Sequence, residues 1–561
     1  QQVLDMATRG PDGQLIDAWD QPGVRHGSLS SPAYLDYLLR WCREQIDAGA
    51  DYLFMDEHTA ALTRLEGYDD HSLVDFRRYL LQDCPQTEGW ALDDARWRTE
   101  LKVDLSDPRI CPTGKMDSFD YRAYMRAMGV LQDPNAEKNP LRVLWSQFRT
   151  FRDDRAWKHL TDRIRAYAAQ KGRTVLISAN GIAKYVDLQV LGVWGRWTTR
   201  DGHIDLTDSQ LPQWRSLVLQ GRDVAGKKVP VVLFHDWGFG DPPFPWLAVP
   251  PSEREIWMRT RGAEIYAAGA FFAFPVLGPF GCDASKDGTL RVIAQQTAFY
   301  QAHRDLYLRG TYLGSEGLRT DAERLSLAAW WSEEPRAIVL HVINRDVRAG
   351  RLQRRHDVAV RLPVTAAPDR VVLLSPDWPG ERAGACRRIA EGLDVVAPEV
   401  DAYVVAILPY TDEVDVTALI DPVRIRPNRR WTRPTRSEFP VRPDGWVEHW
   451  GELEGFLQGM LHKHLRNPPT FLVNALTDGE LLVHVRAVAT LGARLEYRVD
   501  GRPTATVELP DLDGKNDGNA PEYDRTYSFP IPRGRHRITL DNVGGDWATV
   551  DWYQFKGAFA Q

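Results

Sequence analysis

Long apolar runs are missing from this 561-residue chain: none approaches the roughly 20 residues a helix needs to cross a bilayer, so no helical membrane span is expected. Cysteine is scarce. The five present, Cys42, Cys84, Cys111, Cys282 and Cys386, lie far apart with no CxxC pair and no metal-like spacing. That excludes a disulfide framework and leaves one bridge open. There is no long basic block either. With 70 basic and 77 acidic residues and a net charge of −7, neither a nucleic-acid backbone nor an anionic membrane is expected as a partner, and a neutral substrate fits better. The chain has no GxSxG elbow, P-loop, strand-linked GxGxxG or HExxH. Hydrolase triads, nucleoside triphosphate use, dinucleotide binding and zincin chemistry therefore lack their usual supports, and neither a cofactor nor a metal is expected.

What the chain has in excess is tryptophan, 20 residues of it. A flat apolar ring with one polar edge suits the face of a sugar, although core packing has to account for most of these residues. Hydrophobic residues at 43% and charged residues at 26% are an ordinary globular balance. A chain this long exceeds what one core organises and implies about two to four domains. The first residue is Gln rather than Met, so the chain is either processed or begins inside a longer product, and a secreted or periplasmic location is the expectation.

The segment "SSPAYLDYLLRWCREQIDAGA" offers Ser31 as N-cap, Pro32 at the first helical position, and Leu35, Leu38, Leu39, Cys42 and Ile46 at helical spacing, with Gly49 as the stop. A short apolar run, Tyr52 to Met55, follows and reads as a strand buried on both faces of a parallel sheet. The alternation then repeats. Helical "SQFRTFRDDRAWKHLTDRIRAYAAQKG" leads into "TVLISANG", "VPVVLFHDWG" reads as a further strand, and "SEREIWMRTRGAEIYAAG" feeds "AFFAFPVLGP". This is the period of βα units.

Six strands are expected: Val3 to Thr8, Tyr52 to Asp56, Thr174 to Ala179, Asp187 to Val193, Val229 to Asp236 and Ala270 to Val276. An eight-stranded (β/α)8 TIM-type barrel needs two more. Either they precede Gln1, the reading favoured here, or they hide in the polar, turn-rich region Asp83 to Asn139. That region otherwise reads as a long insertion after a strand, on the side where barrel active sites lie. Two exposed sheet edges would have to be covered by upstream residues or by another subunit of a homo-oligomer.

From about Gly310 the texture changes to short alternating strands, the signature of a β-sandwich. "RIRPNRRWTRPTRSEFPVRPDG" has few apolar residues and reads as a surface linker, and a second all-β unit begins near Trp446. The expected domains are a barrel over 1–309, a β-sandwich over 310–410, a linker over 411–445 and a final β-sandwich over 446–561.

In parallel α/β folds the carboxyl ends of strands carry the site. Here those ends read Asp56-Glu57-His58, Asn180-Gly181, Trp194 with Trp197 nearby, and His235-Asp236-Trp237, with Asp283 after the last strand. Carboxylates, an amide, histidines and indoles on one rim are the kit for glycoside hydrolysis, in which one carboxyl protonates the leaving oxygen and another stabilises or attacks an oxocarbenium-like centre. The plain reading of a strand-terminal Asp is a helix N-cap, but Asp56 and Asp236 on two buried strands favour the catalytic one. Strand alternation points Asp56 and Glu57 in different directions, so at most one faces the axis, and Asp56 ranks first. His58 and His235 read as hydrogen-bonding neighbours rather than metal ligands. Asn180 suits a sugar hydroxyl or a turn. Trp194, Trp197 and Trp237 are stacking platforms or packing residues.

The run "DAGADYLFMDE", "LISANG", "LFHDWG" and "AAGAFFAFPVLGP", followed by a small β-sandwich, resembles barrel-type glycoside hydrolases over residues 1–410. That resemblance implies a catalytic carboxylate after the fourth barrel strand, here Asp56 or Glu57, and a second after a later strand, for which Asp236 is placed. No Glu follows the strands ending at Ala179 or Val193, a departure from both the amylase-like and the two-glutamate patterns. A polysaccharide-binding protein without catalysis and a barrel lyase or transglycosylase are the alternatives, which fold analogy does not separate. The last domain resembles a galactose-binding-type β-sandwich of the carbohydrate-binding kind, with "DNVGGDWATVDWYQF" as its final turn and strand. Alternation there puts Val550 and Trp552 on one face and Asp551 and Tyr553 on the other, with one of Trp547 and Trp552 in the core. Asp541, Asn542 and Asp546 read as turn-stabilising side chains, or as hydroxyl or calcium ligands.

Overall fold

Ser31 accepts a hydrogen bond from the Tyr34 amide and so caps helix α1 (Pro32–Asp47), whose proline sits where no amide hydrogen is needed. The computed structural model describes residues 2–56, 65–194, 199–236, 250–273, 289–428, 436–443 and 445–560. Two compact units divide the chain, Gln1–Gln189 and Val190–Gln561.

In the first unit, α1 ends at Gly49, in the left-handed conformation at φ 109°, and the chain returns as strand β1 (Tyr52–Met55). Asp69 then caps α2 (Asp70–Gln82). A 29-residue helix, α3 (Arg142–Gln170), precedes strand β2 (Leu176–Ala179), which pairs parallel with β1 from Tyr52↔Leu176 to Met55↔Ala179. Leu53, Ile177 and Ala179 are buried on one face of this sheet against Leu39, Cys42 and Ile46 of α1 and Trp157, Leu160 and Ile164 of α3. Each buried Leu or Ile contributes about 1.5–3 kcal/mol. The other face differs from the expected two-sided burial: Tyr52, Phe54 and Leu176 are 40%, 44% and 48% exposed.

The amino-terminal half of α3 runs on past the sheet, and its Leu144, Trp145 and Phe148 join Tyr68, Phe76, Trp97, Met116 and Tyr121 in a separate core. Residues 83–139 thus form an insertion with its own aromatic centre, built from turns and short helices, with no strand among the described residues. The strand expected at Val3 to Thr8 is instead a helix, Gln2–Met6, followed by single bridges at Ala7↔Gly27 and Arg9↔Leu15. Val3 is 70% exposed, so no sheet neighbour takes its ladder, and local helical bonds win.

In the second unit, strands β3 (Gln189–Trp194), β4 (Val231–Asp236) and β5 (Phe271–Ala273) form one sheet in that order, with β4 and β5 parallel. Helices α4 (Leu211–Ala225) and α5 (Pro251–Ala267) alternate with them, α4 ending at Gly226 with φ 66°. Five of the six expected strands are therefore present, in two separate sheets of two and three strands, and the closed barrel is not seen as one sheet among the described residues.

α5 lays Ala263 and Ala267 against Ala328, Trp330, Val339 and Val405 on a six-stranded antiparallel sheet spanning Thr311 to Pro409. Buried Glu264 pairs with Arg261 at 2.6 Å and accepts from Ser209 and Ser326, so neither charge is left without partners. The opposite face of that sheet packs Ile338, Leu340, Val404 and Ala406 on Val358, Val360, Leu393 and Val395 of a three-stranded sheet, which is the expected sandwich.

The last sandwich pairs a sheet built on β6 (Gly479–Val488), β7 (Arg525–Ile531) and β8 (Ala548–Lys556) with one built on Thr470–Ala475, Ala493–Val499, Arg502–Leu509 and Gly534–Asn542. The stretch expected as a linker, 411–445, is partly built into it. Arg424–Ile425 pairs with β8, Glu438–Pro440 pairs with Thr470–Ala475, and Ile425, Phe439 and Val441 are core residues. Those apolar side chains are few but spaced to point inward, which a count of apolar content overlooks.

Expected alternation also fails in β8. The ladder with β6 steps from His484↔Trp552 to Val485↔Val550 and on to Ala487↔Thr549, leaving Asp551 and Arg486 outside it. This paired bulge turns Trp552 outward while Val550 and Tyr553 are both fully buried. Trp547 is the core tryptophan, at 3% exposure.

Candidate active site

β1 and β2 run parallel and in register, so residues 52, 54 and 56 share a face with 176, 178 and 180. On that face Tyr52 and Ser178 hydroxyls meet at 2.6 Å, and beyond the last pair the Asn180 side-chain Nδ2 donates to Asp56 Oδ1 at 2.9 Å. The Asn180 backbone amide also reaches Met55 O at 3.2 Å, which fixes the amide side chain's root against the end of β1. Asp56 is exposed, and among the described residues its Oδ2 has no partner. The pair is thus an exposed, oriented carboxylate with one oxygen held by a neutral donor. Asp56 does not cap α2, whose cap is Asp69.

Of the expected site residues, Asp56 and Asn180 are brought together. Asp236 and His235 end β4 and Trp194 ends β3, as expected for strand termini, but their side chains lie outside the described ones. Glu57, His58, Trp197, Trp237 and Asp283 fall outside the described residues.

A buried pair was missed by reading strand ends. His26 Nδ1 lies 2.8 Å from Glu66 Oε1, with His26 7% and Glu66 1% exposed. The two are 40 residues apart and belong to no local motif, so no sequence signal joins them.

Among the described residues, two groups have carboxylate or imidazole atoms close enough to surround a cation: His484, Asp524 and Asp551, and Asp511, Asp513 and Glu522. Both are already engaged. Asp551 bridges Arg486 at 2.9 Å, and the two Glu522 oxygens accept from the amides of Leu512 and Val488. Asp541 bridges Arg466 at 2.6 Å, while Asn542 and Asp546 bond the backbone of their own turn, the turn-stabilising role expected of them.

No family model matches the chain, and no curated protein matches it in sequence. Among solved structures it is similar to a Paenibacillus sp. cycloisomaltooligosaccharide glucanotransferase complexed with cycloisomaltoheptaose, at 10% identity over 72% of this chain and 70% of that one, with a TM-score of 0.43. It is also similar to alpha-L-fucosidase isoenzyme 2 from Paenibacillus thiaminolyticus, at 11% identity over 73% of this chain and 85% of that one, TM-score 0.40. A family 35 carbohydrate binding module from an environmental isolate matches at 14% identity over 16% of this chain and 66% of the module, TM-score 0.13. The chain's own chemistry is read from its residues.

Proposed function

We propose that this chain is a glycoside hydrolase acting on a poly- or oligosaccharide, with Asp56 as one member of its carboxylate pair. The observation that carries this reading is the exposed Asp56 carboxylate at the carboxyl end of a parallel strand, held at one oxygen by Asn180 from the neighbouring strand end. Glycosidic cleavage develops positive charge at the anomeric carbon, and an oriented carboxylate with a free oxygen answers that charge as nucleophile or electrostatic partner. The second carboxylate, which protonates the leaving oxygen, is assigned to Asp236 or Glu57. A spacing of about 5–5.5 Å from Asp56 makes the enzyme retaining and about 6.5–9.5 Å inverting.

In this reading residues 1–309 close as a (β/α)8 barrel, with 310–410 and the last sandwich, into which 424–441 are built, as accessory domains and the last of them a carbohydrate-binding module. His58, Asn180, Trp194, Trp197, His235, Trp237 and Asp283 are assigned to substrate hydroxyls and ring faces. The experiment is a hydrolysis screen of the full chain on a polysaccharide panel, with Asp56→Asn and Asp236→Asn as controls. Activity lost in both variants supports the assignment, and activity unchanged in both removes it.

A further inference from the structure

Helix α1 runs back along the sheet before a short turn returns it into β1, so the residues ahead of Ser31 lie on the side where β1 and β2 end. Glu66 meets His26 of that segment at 2.8 Å and so lies on that side too. There, loop 17–24 is pinned by bonds from Ala18 N to Val24 O at 2.9 Å and from Gly23 N to Asp17 Oδ1 at 2.9 Å, and by an Asp17–Arg25 ion pair. The loop presents Trp19 with φ 52° and ψ 32°, a left-handed conformation a bulky residue rarely adopts. Its indole is 59% exposed. Such outliers persist where the surroundings hold them and gather at ligand sites.

Beneath the indole, 4.7 Å away and edge-on at 79°, lies the His26 ring. Its Nδ1 faces the Glu66 carboxylate, while its Nε2 is buried with no hydrogen-bond partner among the described residues. A buried imidazole nitrogen without a partner costs about 1–3 kcal/mol unless something completes it. In the tautomer whose Nδ1 carries the hydrogen of the bond to Glu66, Nε2 is left as an acceptor. An acceptor takes a hydroxyl hydrogen and gives nothing to a carboxylate or a phosphate.

We propose that Trp19 and His26 form a saccharide subsite on the strand-end side of the first unit: a neutral pyranose ring stacks on the Trp19 indole, and one of its hydroxyls donates to His26 Nε2, with Glu66 holding the imidazole from behind. The two rings are 4.7 Å apart, which puts a sugar on the indole within reach of the imidazole once Nε2 is uncovered. This rests on the reading of the chain as saccharide-active, yet it needs no catalytic role for Asp56. The plain alternative is that His26 and Glu66 only tie the amino-terminal segment to the residues around Tyr68.

The test is calorimetric binding of isomaltohexaose, cellohexaose, xylohexaose, laminarihexaose and neoagarohexaose to the full chain carrying Asp56→Asn, which keeps the probes intact. The expected result is binding of at least one hexaose, weakened at least about tenfold by adding Trp19→Ala with unchanged thermal melting, weakened likewise by His26→Asn, and retained within about threefold by Trp19→Phe. A structural tie moves melting and leaves affinity alone. Equal affinity in the Trp19→Ala and parent proteins overturns the subsite, and so does the absence of binding to all five probes. Hydrolysis by the otherwise unaltered chain, assayed separately, keeps the two readings apart: hydrolysis with Trp19-independent binding removes the subsite alone, and Trp19-dependent binding without hydrolysis removes the enzyme alone.

Discussion

Asn180 holds Asp56 across two strand ends: its Nδ2 donates to Asp56 Oδ1 at 2.9 Å because β1 and β2 are parallel and in register, which brings the residue after each last pair face to face. A neutral donor of this kind orients a carboxylate without cancelling its charge. Removing it leaves the carboxylate charged but loose.

Asn180→Ala is therefore expected to lower kcat of a hydrolytic Asp56 by about 10- to 100-fold, the worth of a hydrogen bond to a charged group, with a smaller change in KM. Steady-state kinetics on whichever polysaccharide the chain cleaves checks this. A rise in KM alone would make Asn180 a plain sugar contact.

The two tryptophans of the last strand are expected to behave differently. Trp547 is buried beside Phe456, Ala487 and Ala489, so Trp547→Ala should cost about 3–5 kcal/mol. Trp552, stacked outside the core on His484 at 5.0 Å with the Arg424 guanidinium 5.2 Å from its ring centroid, should cost no more than about 1.5 kcal/mol on truncation. Denaturant unfolding compares the two, and equal losses would contradict the bulge that turns Trp552 outward.

That bulge makes its own prediction. Arg486 and Asp551 are the residues the β6–β8 ladder leaves out, and they bridge each other at 2.9 Å. Asp551→Ala loses a half-exposed ion pair worth about 1 kcal/mol or less. Deleting Asp551 leaves Val550 and Tyr553 two residues apart with Trp552 between them, which restores plain alternation and keeps Trp552 outward, so it should cost no more than about 2 kcal/mol, and a cost well above that would contradict the bulge. Limited proteolysis of the two variants separates the outcomes.

Asp223, at the end of α4, accepts from the His449 and Gly451 amides, and burial pushes its carboxyl up to about 7, against the bonds from those amides. An unfolded Asp ionises near 3.8. Between those values the unfolded chain has released a proton that the folded chain still holds, so the carboxyl's contribution to stability falls as pH rises from about 4 to 7 and is level above that. The loss is on the order of 2–4 kcal/mol. Asp223→Asn has no such charge, and its melting temperature should fall less than that of the unaltered chain between pH 5 and pH 8. An identical fall in both would contradict the raised carboxyl.

The helices and most strands of the α/β region were legible because their signals are local: Ser31 and Pro32 mark a start, and the apolar runs at Tyr52, Thr174 and Val229 mark strands. Asp56 and Asn180 were legible as strand-end residues for the same reason. What escaped depends on pairing between distant segments. Val3 to Thr8 reads as a strand until no neighbour is there to bond it, and Ile425 and Phe439 read as linker until a sheet claims them. The His26–Glu66 pair needs two loops to meet, and the Asp551 bulge appears only in the register with β6.

The most direct measurement is the rate of reducing-end release from a panel of soluble polysaccharides by the unaltered full chain and by Asp56→Asn, with folding checked by melting. The account predicts cleavage of at least one polysaccharide and a fall of about 10²–10⁴-fold in the variant, with binding retained. Cleavage at the same rate by Asp56→Asn, or no cleavage of any polysaccharide by the unaltered chain, would contradict it.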